Sequence, residues 1–152
     1  MCGGIVASFG RIPKDELAKI YSEQEIEQFE KNGEFESSFR DKRPVLPIFE
    51  GEDVKLIDWG NREDKAPFPV TGWARQESLL QHKWDNWKPK RVTILANEGV
   101  EKGKSFEVKG DLKGILIEQD GDKRVYMITE AADNKYKKYT KHDRMPVGNL
   151  SL

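Results

Sequence analysis

The stretch Gly114-Ile115-Leu116-Ile117-Glu118-Gln119-Asp120-Gly121-Asp122-Lys123-Arg124-Val125-Tyr126-Met127-Ile128-Thr129 decides the class of fold. Two runs rich in aliphatic and β-branched residues flank Asp120-Gly121, a dipeptide that tolerates the positive φ values of a tight turn. The pattern predicts a hairpin with strands at 114–118 and 124–129. Runs at 92–96 and 105–108, bounded by Gly-containing turns, extend the series of strands upstream. Ile5-Val6-Ala7-Ser8-Phe9, stopped by Gly10, reads as a strand that leaves residue 2 at a strand end held by the core. Pro44-Val45-Leu46-Pro47-Ile48-Phe49 reads as an extended, proline-bounded edge or lining segment, and 54–60 shows partial alternation.

Helical spacing is confined to the flanks. Within 13–36, Leu17, Ile20 and Tyr21 share a face behind Pro13, and a second helix carries Ile26 and Phe29 before Asn32-Gly33. A short helix is expected over 78–87 with Leu79, Leu80 and Trp84 inward, stopped before Pro89, and another over 131–141. Residues 61–71, with Pro67 and Pro69, read as a loop, and 97–103 as a polar turn. With no internal repeat or linker, 1–152 reads as one mixed domain with more strand than helix near its centre.

Composition narrows the functional classes. The 152 residues are 36% hydrophobic and 35% charged with a formal charge of −1, which excludes a histone-like cation but not a local basic groove. No apolar run approaches the roughly 20 residues that cross a membrane, and the start lacks the order of a signal peptide. A single cysteine makes no intramolecular disulfide, and two histidines offer little for zinc. The expectation is an intracellular protein, cytoplasmic or nucleoid-associated if bacterial, with no cofactor, no obligate metal and no membrane partner.

Cys2 is the most informative residue. Removal of Met1 exposes a 1,2-aminothiol whose amine, with a reference pKa of about 7.7–8.0, is partly neutral at physiological pH. Such an amine condenses with an aldehyde to an imine, and the thiol closes a thiazolidine on the same carbon. Alternatively, the thiol attacks a carbonyl while the amine relays its proton. Gly3 and Gly4 leave the reactive end unobstructed.

Four blocks then fall in a recognisable order: Met1-Cys2-Gly3, Ala74-Arg75-Gln76-Glu77-Ser78, the run from Arg91 to Asn97 leading to Glu101, and His142-Asp143-Arg144-Met145-Pro146-Val147. In these the chain resembles the SRAP (SOS response-associated peptidase) family. The resemblance implies a compact α+β domain with a central curved mixed β structure and peripheral helices. It also implies covalent capture of abasic sites in single-stranded DNA by the mature Cys2, after autoproteolytic removal of Met1. Glu101 and His142 would assist proton transfer, and the positions at Ala74 and Arg75 would bind the DNA backbone. Trp73 stands where most relatives have Asn, and Gly4 where they have Arg.

Each residue also has a plain role in the sequence. Glu101 suits an exposed turn, His142 a helix C-terminus, and Arg75 a surface ion pair. Arg144 either binds phosphate or locks the terminal strand to the core through a carboxylate. Trp73, Ala74, Arg75 and Arg144 are the DNA-binding candidates, with Trp73 the best placed to stack on a base and Trp59 and Trp84 core residues. Residues 135–144 carry a local charge of +4, residues 83–113 of +3 and residues 14–36 of −5. The competing readings are a noncatalytic single-strand nucleic-acid binding module and an N-terminal cysteine amidohydrolase.

Overall fold

The computed structural model describes residues 1–63 and 66–152. The chain opens with β1 (Gly4–Ser8), then α1 (Lys14–Ala18) and α2 (Glu23–Asn32), then β2 (Glu34–Ser38), β3 (Val45–Glu50) and β4 (Asp53–Asp58). After the 61–71 loop come β5 (Trp73–Arg75), α3 (Gln76–Leu80), β6 (Lys90–Ile94), β7 (Glu98–Glu101), β8 (Lys104–Gln119) and β9 (Asp122–Ala131). The chain closes with α4 (Asn134–Thr140), β10 (Arg144–Pro146) and β11 (Gly148–Ser151). Residues 64 and 65 of the expected loop lie outside the described residues.

The 114–129 hairpin forms as its sequence dictates. Asp120 and Gly121 take φ of 53° and 84°, and β8 and β9 pair in register from Gly114–Met127 to Gln119–Asp122. The two strands expected at 105–108 and 114–118 are one 16-residue strand. Its first half is paired by β7 and β11, and its second by β6 and β9. Gly110, with φ of 93°, lies between these halves, opposite the register shift of β11, and such irregularities bend a strand. The sheet runs β2-β1-β7-β8-β6-β3-β4 and curls into a half-barrel, with β9, β5, β10 and β11 off that path. All strand pairs are antiparallel except β5 on β9, so the class is α+β.

Two apolar clusters lie on opposite faces of β9. Val125 and Met127 join the larger one with Ile5, Phe35, Leu46, Trp59, Leu95 and Leu112. Tyr126 and Ile128, alternate to them, join Ile115, Ile117, Ala74 and Phe68. A strand buried on both faces reads as a continuous apolar run, as Val125-Tyr126-Met127-Ile128 does.

Local chemistry sets the helix ends. Ser22 and Glu25 form a reciprocal capping box at α2, Gly33 ends that helix at φ 73°, and the Asp133 carboxylate accepts the Tyr136 N–H at α4. Four expectations need correction. Residues 34–36 leave the helix for β2, where Phe35 and Ser37 alternate into the interior. The segment 97–101 is a strand, not a turn, along its last four residues. The proline-bounded segment is an inner strand, with β4 on one side and β6 on the other. The helix over 78–87 stops at Leu80, which is 68% exposed rather than inward.

Gly99 on β7 is required by packing. A Cβ there would stand 2.5 Å from two ring carbons of Phe106 and 3.1 Å from Cys2 Sγ. Gly99→Ala is therefore expected to lower stability by about 1–3 kcal/mol. Urea denaturation would read this as a lower midpoint with an unchanged slope.

Candidate functional site

The site grows from the way β1 continues past its first residue. Gly3 N–H donates to Val100 O at 2.9 Å and Phe39 N–H donates to Gly3 O at 3.0 Å, so the chain start is stitched between β7 and the end of β2. Cys2 is thereby drawn fully inside. Its thiol donates to Gly4 O at 3.1 Å, over the space that Gly99 leaves open. The Phe106 ring shares that space and meets Tyr136 edge-on, with centroids 5.4 Å apart. The Trp73 indole N–H donates to Cys2 O at 3.0 Å, while its ring packs on Phe39 and Trp59.

Glu101 ends β7 on the same face as Gly99, and its side chain is buried. Its Oε1 accepts from the Met1 ammonium at 3.0 Å and stands 3.8 Å from His142 Nε2. His142 arrives by a short device after α4. Lys141 takes the left-handed conformation at φ 61°, and His142 N–H donates to Thr140 Oγ1 at 3.2 Å. His142 Nδ1 accepts the Arg144 N–H at 3.1 Å, which leaves Nε2, the nitrogen facing Glu101, to carry the proton of the neutral ring. Lys102 Nζ reaches Lys141 O at 3.4 Å and ties the turn after Glu101 to the residue before His142.

Burial dominates the electrostatics. It pushes the Cys2 thiol up to about 11, and the negative charge of Glu101 acts in the same direction. It also lowers the Met1 ammonium below its ordinary value, against the pull of Glu101. The Tyr136 hydroxyl is raised by burial first and then by the charges of Cys2 and Glu101. Among the described residues, the Tyr136 hydroxyl and Glu101 Oε2 are buried without a hydrogen-bond partner. Among those residues, no group of three or more His, Cys, Asp or Glu side chains is arranged to hold a metal ion.

Cys2, Glu101 and His142 thus converge from three distant stretches of chain. The other candidates divide. Trp73 borders the site, but it is half-buried and its N–H is committed to Cys2 O. Ala74 is fully buried in the second cluster and offers no surface, whereas Arg75 is exposed and makes no ion pair among the described residues. Arg144 is 8% exposed. Its guanidinium donates to both carboxylate oxygens of Glu77 at 2.6 and 3.0 Å and to Thr129 O and Oγ1 at 3.0 and 3.2 Å. The alternative of a carboxylate lock describes it.

Phe39, Glu77 and Tyr136 were not singled out by their sequence. Glu77 sits inside the Ala74-to-Ser78 block, which is the one available signal. Phe39 and Tyr136 are ordinary aromatics until the fold brings them to Gly3 and Cys2.

No protein-family model matches the chain, and no curated protein matches it. Among solved structures, the fold is similar to that of a protein from Bacteroides thetaiotaomicron, a structural-genomics crystal structure. The TM-score is 0.57 at 16% identity, over 95% of this chain and 76% of that one. This likeness is one of fold.

Two measurements follow from the geometry. With a pKa pushed up to about 11 and no accessible surface, the Cys2 thiol of the Met1-bearing chain should react with iodoacetamide at neutral pH at least ~100-fold more slowly than after denaturation. Mass spectrometry of timed aliquots reads this directly. Separately, Arg144 holds the Glu77 carboxyl down to about 2. A depressed carboxyl stabilises the fold above its unfolded pKa and loses that contribution as pH falls through its folded value. Acid titration should show stability declining from roughly pH 4.5 toward 2, with a smaller decline in Glu77→Gln. Half-exposure of Glu77 keeps the effect modest.

Proposed function

We propose that the chain, once Met1 is removed, captures the ring-opened sugar aldehyde of abasic sites in single-stranded DNA as a thiazolidine on Cys2. On this reading the fold is that of the SRAP family and Met1 leaves by the chain's own hydrolysis of the Met1–Cys2 peptide bond, consuming one water. The observation that carries the reading is the meeting of the chain's first amine, Glu101 Oε1 at 3.0 Å and His142 Nε2 a further 3.8 Å away. The resemblance named Glu101, His142 and Cys2, the residue that follows this amine.

The steps balance with these groups. Loss of Met1 creates an amine on Cys2, three covalent bonds from the nitrogen that Glu101 holds in the longer chain. Glu101 takes a proton from the Cys2 ammonium, and the neutral amine adds to the aldehyde carbon. Glu101 then gives that proton to the carbinolamine oxygen, which departs as water to give the imine, while the His142 Nε2–H faces the regenerated carboxylate. The thiol adds to the imine carbon, its proton passes to the nitrogen, and the five-membered ring closes. One water is released overall.

Exposed Lys102, Lys104, Lys135, Lys137, Lys138 and Lys141 lie on the turn and helix that carry Glu101 and His142, where phosphates of a strand would run. An abasic nucleotide has no base to unstack, so its sugar enters at little cost.

The test is incubation of the Met1-free chain with an abasic single-stranded oligonucleotide, followed by a denaturing gel and intact mass. The expected product is a heat-stable adduct of the summed mass less one water, absent for Cys2→Ala and slowed about 10²–10⁴-fold for Glu101→Gln. No adduct from wild-type chain with an intact Cys2 terminus overturns the proposal. Release of ammonia from glutamine would replace it with the amidohydrolase reading.

A further inference from the structure

A second feature lies beside the chain start, on the far side of Phe39. Lys42, Arg43, Asp58, Asn61, Arg62 and Arg124 line a recess of about 200 Å³ whose floor is Trp59 and Gly60. Two of its cations are neutralised: Arg43 by Asp58 at 3.0 Å, and Arg124 by Asp122 at 3.2 Å. Arg62 is held differently. Its Nη1 and Nη2 donate to the carbonyls of Phe39 and Lys42, each at 3.1 Å, and its guanidinium lies 5.8 Å over the Phe39 ring. Carbonyls fix a guanidinium without cancelling its charge, and two bonds leave part of its five-donor fork free.

Among the described residues, neither Arg62 nor Lys42 has a carboxylate within ion-pair distance, and Glu63 is the one other acid lining the recess. Arg124 Nε is buried there without a partner among the described residues. The recess is coupled to the site through one residue. The Phe39 N–H holds Gly3 O at 3.0 Å, its carbonyl holds Arg62, and its ring packs on Trp73, which holds Cys2 O.

We infer that this recess is a phosphodiester subsite, in which Arg62 and Lys42 grip a backbone phosphate of the strand whose sugar enters at Cys2. The inference rests on the proposed function for the identity of the strand. A preorganised, charge-bearing fork is the geometry that suits a phosphate's two unesterified oxygens.

The test uses the full chain and an undamaged fluorescent single-stranded oligonucleotide, with affinity followed by anisotropy across salt. Each phosphate contact to a single strand contributes about 0.7 to the log–log salt slope. Lys42→Gln should flatten the slope by about 0.7, and Lys42→Gln with Arg62→Gln by about 1.4, with at least a tenfold loss of affinity at low salt. Arg62→Lys keeps the charge and should keep the slope. The Lys42 side chain makes no hydrogen bond or ion pair among the described residues, and only its backbone carbonyl receives Arg62, so its variant tests the subsite without disturbing the turn that Arg62 fastens.

Equal affinity for oligonucleotides with and without a 5′-phosphate supports a diester, and a requirement for the terminal phosphate overturns it. No binding by the wild type, or unchanged slopes in both glutamine variants, also overturns the subsite. Intact binding with these slopes but no adduct on an abasic strand would sink the capture reading and leave the subsite standing.

Discussion

A buried carboxylate needs a cation, and at Glu101 the cation is the beginning of the chain itself. With its side chain almost wholly removed from water, Glu101 places one oxygen on the Met1 ammonium and leaves the other without a partner among the described residues. Desolvating such a charge is expensive unless it is paired. The arrangement therefore depends on the chain start being delivered to one place, which the Val100–Gly3–Phe39 hydrogen bonds accomplish. In the proposed Met1-free form, the new amine on Cys2 would be the replacement cation. The same electrostatic demand that orders the longer chain would then draw that amine toward Glu101.

The curled sheet makes this delivery possible. β7 is short and lies between β1 and β8, so the strand that presents Glu101 also supports the residues that follow Cys2. β8 continues past it, bends, and pairs with β9, whose far end pairs with β10. His142 sits between α4 and β10, and the bond from the Arg144 N–H to its ring sets which nitrogen faces the carboxylate. Arg144 in turn fastens β10 to Glu77 and Thr129. Its part in the site is thus exercised through the backbone it anchors, with its guanidinium spent on the fold.

The hairpin was legible because two strong signals agreed: apolar alternation and Asp-Gly at the turn. The end of the second helix was legible because Asn32-Gly33 marks it, and the end after Leu80 was not, because apolar spacing runs on toward Pro89. Glu101 was opaque to residue-level reading. Its neighbours Glu98, Lys102 and Lys104 are polar, so a buried position in a four-residue strand looks like a turn, and only the resemblance pointed to it. Trp73 looked like a stacking platform because sequence shows an aromatic beside Ala-Arg. It cannot show that the indole N–H is already bonded to a carbonyl 71 residues away. Arg144 was readable only as a phosphate ligand or a carboxylate lock, and its burial against Glu77 and Thr129, which sequence does not show, spends its guanidinium on the lock.

The depth of the thiol bears on the order of events at Cys2. A sulfur bonded to Gly4 O beneath Gly99, with its pKa raised by burial, is a poor first nucleophile at neutral pH. On the proposed capture the amine has no such handicap: the burial that lowers the Met1 ammonium in the longer chain would favour the neutral form of a Cys2 amine held at the same place. In the proposed reaction nitrogen would therefore attack first. The proposed imine would hold the electrophilic carbon next to the sulfur, where a rotation about the Cys2 side chain replaces a bimolecular encounter and the low thiolate fraction matters less. A thiol held fully inside is also one that passing oxidants and electrophiles do not reach, which suits the proposed single-use role of this terminus.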